Sequence, residues 1–262
     1  MQVGTLITRC GTIRVELPAP DTILMPGILW GALDSFPSPA YWHYQVISRR
    51  LTQRILSTQL GRTLTEEVAA SLLGGHGIPA AVGIAAYEKL CRLGAFVGYP
   101  PDAGQLEGWL REPLTIGQRQ VHYRFAAQKA RYLAVALQRV PDAPDFDSGR
   151  ELRDWLMQLP GVGPKTASWV ARNWMQADDV AILDVHILRV GRALGLFPWQ
   201  WSVDRRYFDL EALFLQFSHA IDARPSELDA VIWAELSSSP RLARFIDSFA
   251  DHRRLSLAAS QE

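Results

Sequence analysis

Lysine is almost missing from this chain. Of its 27 basic residues only Lys89, Lys129 and Lys165 are lysines, and the rest are arginines. Cysteine is as scarce. Cys10 and Cys91 are too few for a disulfide framework, and neither belongs to a C-x-x-C pair, which excludes a zinc or iron–sulfur site held by four cysteines. The six histidines are scattered, with no i, i+4 pair and no H-E-x-x-H, so no metal is expected. Long apolar runs are absent too: no segment approaches the ~20 residues that span a bilayer. The opening MQVGTLITRCGTIRVELP has no basic leader followed by an apolar core. The expectation is a cytoplasmic protein without a signal peptide or a membrane partner, nucleoid-associated if bacterial. A net charge of zero counts against a non-specific DNA binder. Charge is uneven, however: from Arg119 to Val140 the chain carries Arg119, Arg124, Lys129, Arg131 and Arg139 and no acid. Such a run reads either as a solvated helix face or as a phosphate contact.

What is present is a good core composition, 48% hydrophobic over 262 residues, enough for one large domain or two small ones sharing a cleft. Residues 1–17 alternate weakly, as a short hairpin or edge strands do. Beyond them the helical period takes over. YWHYQVISRRLTQRILSTQL places Ile47, Leu51 and Ile55 on one stripe, and HYRFAAQKARYLAVALQRV places Phe125, Tyr132, Leu133, Ala136 and Leu137 on another. Gly and Pro clusters at GGHGIP, GYPPDAG and PDAPDFDSG separate these helices. The fold class is mainly α with a short N-terminal β segment.

The stretch LPGVGPKTASWVARNW, residues 159–174, has the clearest local logic. Ser148 and Glu151 form a capping-box pattern opening a helix with Leu152, Trp155, Leu156 and Leu159 on its apolar stripe, and Pro160 ends it. Gly161-Val162-Gly163 makes a tight turn, and Pro164 suits the first turn of a second helix. There Ala167, Val170, Ala171 and Trp174 face the core, with Lys165, Trp169 and Arg172 on another face. Two glycines at a helix entrance leave backbone N–H groups free at the positive end of the dipole, an anion site suited to a nucleic-acid phosphate. A plain helical connection is the competing reading.

LPGVGPKTA followed by AILDVHILRVGRALG resembles the signature of the helix-hairpin-helix DNA glycosylase superfamily, with Lys165 and Asp184 spaced as in its lysine-bearing, bifunctional members. The resemblance implies a two-lobed fold: residues 1–47 (short β plus helix) packing with a C-terminal lobe, 48–182 carrying the hairpin, and 183–262 carrying the catalytic aspartate and base pocket. It implies that Lys165 and Asp184 are catalytic and face each other across a cleft, that Gly161, Val162, Gly163 and His186 bind DNA phosphate, and that Gln59, ending Ile55-Leu56-Ser57-Thr58-Gln59, fills the gap left by an extruded nucleotide. The partner is then double-stranded DNA with a damaged base, met by a monomer. No cofactor or iron–sulfur cluster is implied, and a monovalent cation at the hairpin is an option by analogy.

The residue types suit that chemistry independently. A base in a duplex must be rotated out before its glycosidic bond is attacked. Attack by an amine requires the neutral amine, which a desolvated lysine provides and an arginine does not. Lys165 otherwise reads as a surface residue. Asp184 sits after Val180-Ala181-Ile182-Leu183 and before a helical pattern, so it is an N-cap, a stabiliser of a cationic sugar, or both. For His186 a helix-surface or core position competes with the phosphate role.

In PSELDAVIWAEL, Asp229 and Trp233 resemble the pocket helix of the 8-oxoguanine DNA glycosylases, with Asp229 where that family has a glutamine. A carboxylate can accept from both guanine edge donors; the competing reading is a Ser226–Asp229 capping box with Trp233 in the core. Trp169, one turn after Lys165, stands where those enzymes place a smaller residue. The expected activity is that of a bifunctional DNA glycosylase/AP lyase acting on an oxidised purine, 8-oxoguanine. The alternatives are a lysine-bearing glycosylase for another base and a non-catalytic helix-hairpin-helix DNA-binding module.

Overall fold

The computed structural model describes residues 1–8, 11–52, 59–75 and 77–259, with side chains as far as 251. In chain order its elements are β1 (Gln2–Thr8), β2 (Gly11–Leu17), β3 (Ile23–Met25), β4 (Ile28–Leu29), α1 (Pro39–Leu51), α2 (Leu64–Leu73), α3 (Ala80–Arg92) and α4 (Ala103–Arg111). There follow β5 (Leu114–Ile116), β6 (Arg119–Val121), α5 (Ala126–Arg139) and α6 (Gly149–Leu156). The chain ends with α7 (Pro164–Met175), α8 (Val185–Leu194), α9 (Val203–Ala220), α10 (Pro225–Ser238) and α11 (Pro240–Ala259). The strands form three separate antiparallel pairs, β1 with β2, β3 with β4 and β5 with β6. The mainly helical expectation therefore holds, and the β1–β2 hairpin occupies the segment that alternates in sequence. The β5–β6 hairpin, inside the helical region, was not expected.

The chain divides into two compact units, one made of Met1–Ser57 with Asp178–Glu262, the other of Thr58–Ala177. The units thus divide at 57/58 and 177/178, where the resemblance implied 47/48 and 182/183. Packing explains both shifts. Trp42 and Val46 of α1 are buried in one apolar cluster with Ile187 and Val190 of α8, Phe214 and Phe217 of α9 and Val231 and Ile232 of α10. Arg49 and Arg50 of α1 then pair with Glu235 and Glu227 of α10. The whole of α1 belongs with the C-terminal helices. At the other seam, Val180, Ala181, Ile182 and Leu183 are all buried, and their backbone is held by side chains of α9.

The buried face of α1 carries Ala40, Trp42, His43 and Val46. Ile47 is only half-buried and Leu51 is exposed, so the stripe expected through Ile47, Leu51 and Ile55 is displaced by one position around the helix; Ile55 lies outside the described residues. In the second unit α2 packs against α3, α5 and α7, α4 against α5, and α6 against α7. Leu133, Ala136 and Leu137 of α5 are buried as its periodicity requires, with Ala126 and Ala130.

Candidate DNA-binding and catalytic residues

The hairpin is built by local sequence rules. Ser148 Oγ accepts the Glu151 N–H at the start of α6 (3.2 Å), while the Glu151 carboxylate accepts the Asp147 N–H (3.0 Å). After α6 the Val162 N–H is bonded to the Leu159 carbonyl. Gly161 has φ +80°, and a Cβ there would run into the ring of Tyr132 from α5, so glycine is required twice over. Gly163 differs: its φ and ψ are −94° and 176°, and a Cβ would meet nothing within 4 Å. It is the N-cap of α7, and no side chain caps that helix. Among the described residues no acceptor serves the N–H groups of Gly161 and Gly163. The entrance of α7 is therefore an open set of donors at a positive helix end.

Ala167, Val170 and Ala171 of α7 are buried as expected. Trp174 is only half-buried; Ser168 and Asn173 are fully buried with the core face instead. Lys165 is exposed and makes no hydrogen bond or ion pair among the described residues. The other lysines are engaged. Lys89 is paired with Glu112 at 2.8 Å. Lys129 donates to the Gly74 carbonyl at 3.2 Å, and its burial holds its ammonium below the ordinary lysine value. Trp169, one turn past Lys165, is half-buried.

Behind α7 lies a group of carboxylates that sequence reasoning missed. Asn173 Nδ2 donates to Glu67 Oε1 (2.9 Å), and Glu67 Oε2 accepts the N–H groups of Leu60 (2.9 Å) and Gly61 (2.7 Å). Beside it, Glu66 Oε2 accepts the Arg62 N–H (2.8 Å) and the Tyr87 hydroxyl (3.2 Å). The Arg62 guanidinium also binds Glu66 and holds its carboxyl below the ordinary value, against the opposing effect of burial. One buried acid, Glu67, thus ties the chain just after Gln59 to the lysine-bearing helix, while its neighbour Glu66 joins Arg62 to Tyr87 of α3. In sequence, a Glu-Glu pair in a first helical turn reads as a solvated complement to the dipole; only the Thr63-to-Glu66 capping pattern was a signal. Gln59 itself is exposed and donates to the Gly61 carbonyl. The rest of the Ile55–Gln59 segment lies outside the described residues.

In the first unit, Asp184 is the N-cap of α8. Its Oδ1 accepts both the His186 N–H (2.8 Å) and the Ile187 N–H (2.9 Å), and neither cap bond uses Oδ2. The preceding run joins no sheet, and it turns at its end, where the Asp184 N–H donates to the Ile182 carbonyl at 2.8 Å. Tyr207 donates its hydroxyl to the Ala181 carbonyl (2.8 Å) and the Glu211 carboxylate accepts the Ala181 N–H (2.9 Å), so α9 side chains do the work of a β-ladder. His186 is half-buried.

On α10, Asp229 is buried and Trp233 is 51% exposed. The Ser226-to-Asp229 capping box does not form. The helix starts earlier, at Pro225, with Glu227 accepting the Arg224 N–H and Asp178 accepting the Ser226 N–H. Asp229 therefore lies a turn inside the helix. Trp233 is not a core residue.

Among the described residues no group of three His, Cys, Asp or Glu side chains is placed to share a metal ion. None of the described helices is long and apolar enough to cross a membrane.

Residues 106–223 match the family model described as 8-oxoguanine DNA glycosylase. A solved structure of the Methanocaldococcus jannaschii 8-oxoguanine glycosylase/lyase, in complex with a 15mer DNA containing 8-oxoguanine, superposes with a TM-score of 0.53 at 26% identity, covering 67% of this chain and 81% of that one. The chain has the helix-hairpin-helix DNA glycosylase fold. A trapped endonuclease III–DNA covalent intermediate shares this glycosylase fold, with a TM-score of 0.51 at 22% identity over 75% of this chain and 85% of that one. The 8-oxoguanine DNA glycosylase/AP lyase of Metallosphaera sedula is 33% identical over 128 residues, which is 47% of this chain. The chain spans 62% of the length of that relative. The resemblance read from the hairpin and Asp184 thus stands, and within the glycosylase fold it is to the 8-oxoguanine branch.

Proposed function

We propose that this protein is a bifunctional DNA glycosylase/AP lyase that excises 8-oxoguanine from double-stranded DNA. The observation that carries the reading is Lys165: the exposed lysine of a lysine-poor chain, with no hydrogen bond or ion pair among the described residues, two residues past the glycine that opens α7. In this reading the free N–H groups of Gly161 and Gly163 take a phosphate, Val162 and His186 help seat the backbone, and Gln59 fills the space of the extruded nucleotide. The neutral amine of Lys165 attacks the sugar C1′ as the bond to the base nitrogen breaks, and the base leaves with that electron pair and takes up a proton. Asp184, with Oδ2 outside its cap bonds, stabilises the cationic sugar. Ring opening gives an iminium on Lys165, and loss of a C2′ proton expels the 3′ phosphate, cutting the strand. Asp229 accepts from the guanine edge, and Trp169 and Trp233 supply stacking surface, at ~1–3 kcal/mol per base. The enzyme acts as a cytoplasmic monomer without a redox or organic cofactor.

Borohydride reduction in the presence of a duplex with 8-oxoguanine opposite cytosine tests this. The expected result is a covalent protein–DNA adduct that Lys165→Gln abolishes together with strand cleavage. No adduct with the natural chain, or an adduct that survives Lys165→Gln, removes the lyase mechanism. The aspartate at 229 and the large Trp169 favour one second reading, a lysine-bearing glycosylase for another base. Cleavage of a different lesion in a duplex panel, with 8-oxoguanine left intact, selects it.

A further inference from the structure

The acid-free run from Arg119 to Val140 has no part in the chemistry above, yet it lines a distinct feature of the hairpin unit. A cleft of about 460 Å³ opens at the start of α5, lined among others by Arg111, His122, Tyr123, Arg124, Gln128 and Arg131. Among the described residues no carboxylate lines it. Arg111 is paired with Glu107 outside the lining at 2.6 Å, but the Arg124 guanidinium lies over the Phe125 ring, 5.2 Å from its centroid, and Arg131 has no ion pair among the described residues. A second cleft of the same unit, of about 310 Å³, mixes Glu88 and Glu112 with Lys89 and Arg92, and so neutralises itself. The first cleft does not. The guanidiniums of Arg124 and Arg131 thus line one cleft without an ion pair among the described residues, and their planar forks match phosphate oxygens. The floor is fixed, because the buried Tyr123 hydroxyl donates to the Leu73 carbonyl at 2.7 Å. The first turn of α5 forms one wall, and no side chain caps it.

The cleft is also continuous with the hairpin. Gln128 Nε2 donates to the Tyr132 hydroxyl at 2.9 Å, and the Tyr132 ring is the surface against which Gly161 is packed. From Ala126, the first residue of α5, to Tyr132 the helix rises about 9 Å at 1.5 Å per residue. A DNA strand advances ~3.4 Å per nucleotide, so that distance is about three nucleotides.

We propose that this cleft is a second phosphate site, which grips the backbone of the same duplex about three nucleotides from the phosphate at the hairpin. The proposal rests on the reading of the hairpin as a DNA grip. It gives a chain of zero net charge a local cationic track where total charge supplies none.

The test is the salt dependence of binding of the full chain to an undamaged duplex, followed by fluorescence anisotropy between about 50 and 200 mM salt, where each neutralised phosphate contributes ~0.9 to the slope of log affinity against log salt. The expected result for Arg124→Gln combined with Arg131→Gln is a slope shallower by about 1 to 2 and an affinity about tenfold weaker at the low-salt end. Arg92→Gln, in the mixed-charge cleft, leaves the slope unchanged. Trimming the duplex on one side, but not the other, to within two nucleotides of the hairpin contact should erase the difference between wild type and the double variant. A double variant with the wild-type slope, a slope loss no larger than that of Arg92→Gln, or a difference that survives trimming on both sides overturns the proposal. If Gly163→Asp weakens binding while the double variant does not, the hairpin reading stands and the cleft proposal alone falls; if wild type shows no salt-dependent binding, both fall.

Discussion

Two helix entrances, one in each unit, solve the same electrostatic problem in opposite ways. At α8 the orphan N–H groups are filled from within, by Oδ1 of Asp184. At α7 the N-cap is Gly163, with no side-chain acceptor and open space where a Cβ would stand. A capped entrance adds to the stability of its own helix, by about 1 kcal/mol over an apolar cap. An uncapped one leaves its donors for an external anion. The comparison separates the two kinds of site: α8 presents a negative charge held in a fixed place, α7 a patch of positive potential that no side chain caps, and a lysine stands beside the second.

The comparison breaks first at Asp184. Asp184→Asn keeps an oxygen for the two cap bonds, so the thermal midpoint should move little, yet base release should slow by about 100-fold or more if the charge serves the sugar cation. Single-turnover kinetics decide this, and activity retained in Asp184→Asn leaves the residue as a cap alone. Gly161→Ala should cost about 2 kcal/mol of stability in denaturant unfolding, from positive φ and the collision with Tyr132; an unfolding midpoint equal to wild type contradicts the account of that turn. Gly163→Asp makes the two entrances alike. It should stabilise the fold by a few tenths of a kcal/mol at most, while DNA affinity falls about tenfold because the phosphate meets a carboxylate. An affinity that does not change would show that the open entrance of α7 is not the grip.

Much of the hairpin was legible in the chain. Ser148 and Glu151, the positive-φ glycine, the proline at the start of α7 and the apolar spacing through Ala167, Val170 and Ala171 are all local patterns, with periods and caps that a few neighbouring residues determine. The cap by Asp184 was legible for the same reason. Long-range packing decided the rest. Nothing local in the sequence marks Glu66 and Glu67 as buried, and the backbone of the apolar run Val180–Leu183 is satisfied at Ala181 by Tyr207 and Glu211, 26 and 30 residues away. The start of α10 was misplaced because its cap is provided by Asp178, 48 residues before Ser226. The α1 stripe shifted because Trp42 and Val46, not Ile47 and Leu51, meet the cluster formed with α8, α9 and α10.

By itself the sequence determined the helical class, the turn that opens α7, the aspartate that caps α8 and the rarity of the lysine beside that turn. These depend on interactions within about one helical turn, where residue type and spacing suffice. Only the tertiary structure decided that Lys89 and Lys129 are engaged elsewhere while Lys165 has no partner among the described residues, that the buried Glu67 supports the lysine-bearing helix, and that arginines apart in sequence line one cleft. Those outcomes depend on which distant groups meet and exclude water, and the free energy of a buried charge is set by its partners rather than by its neighbours in sequence.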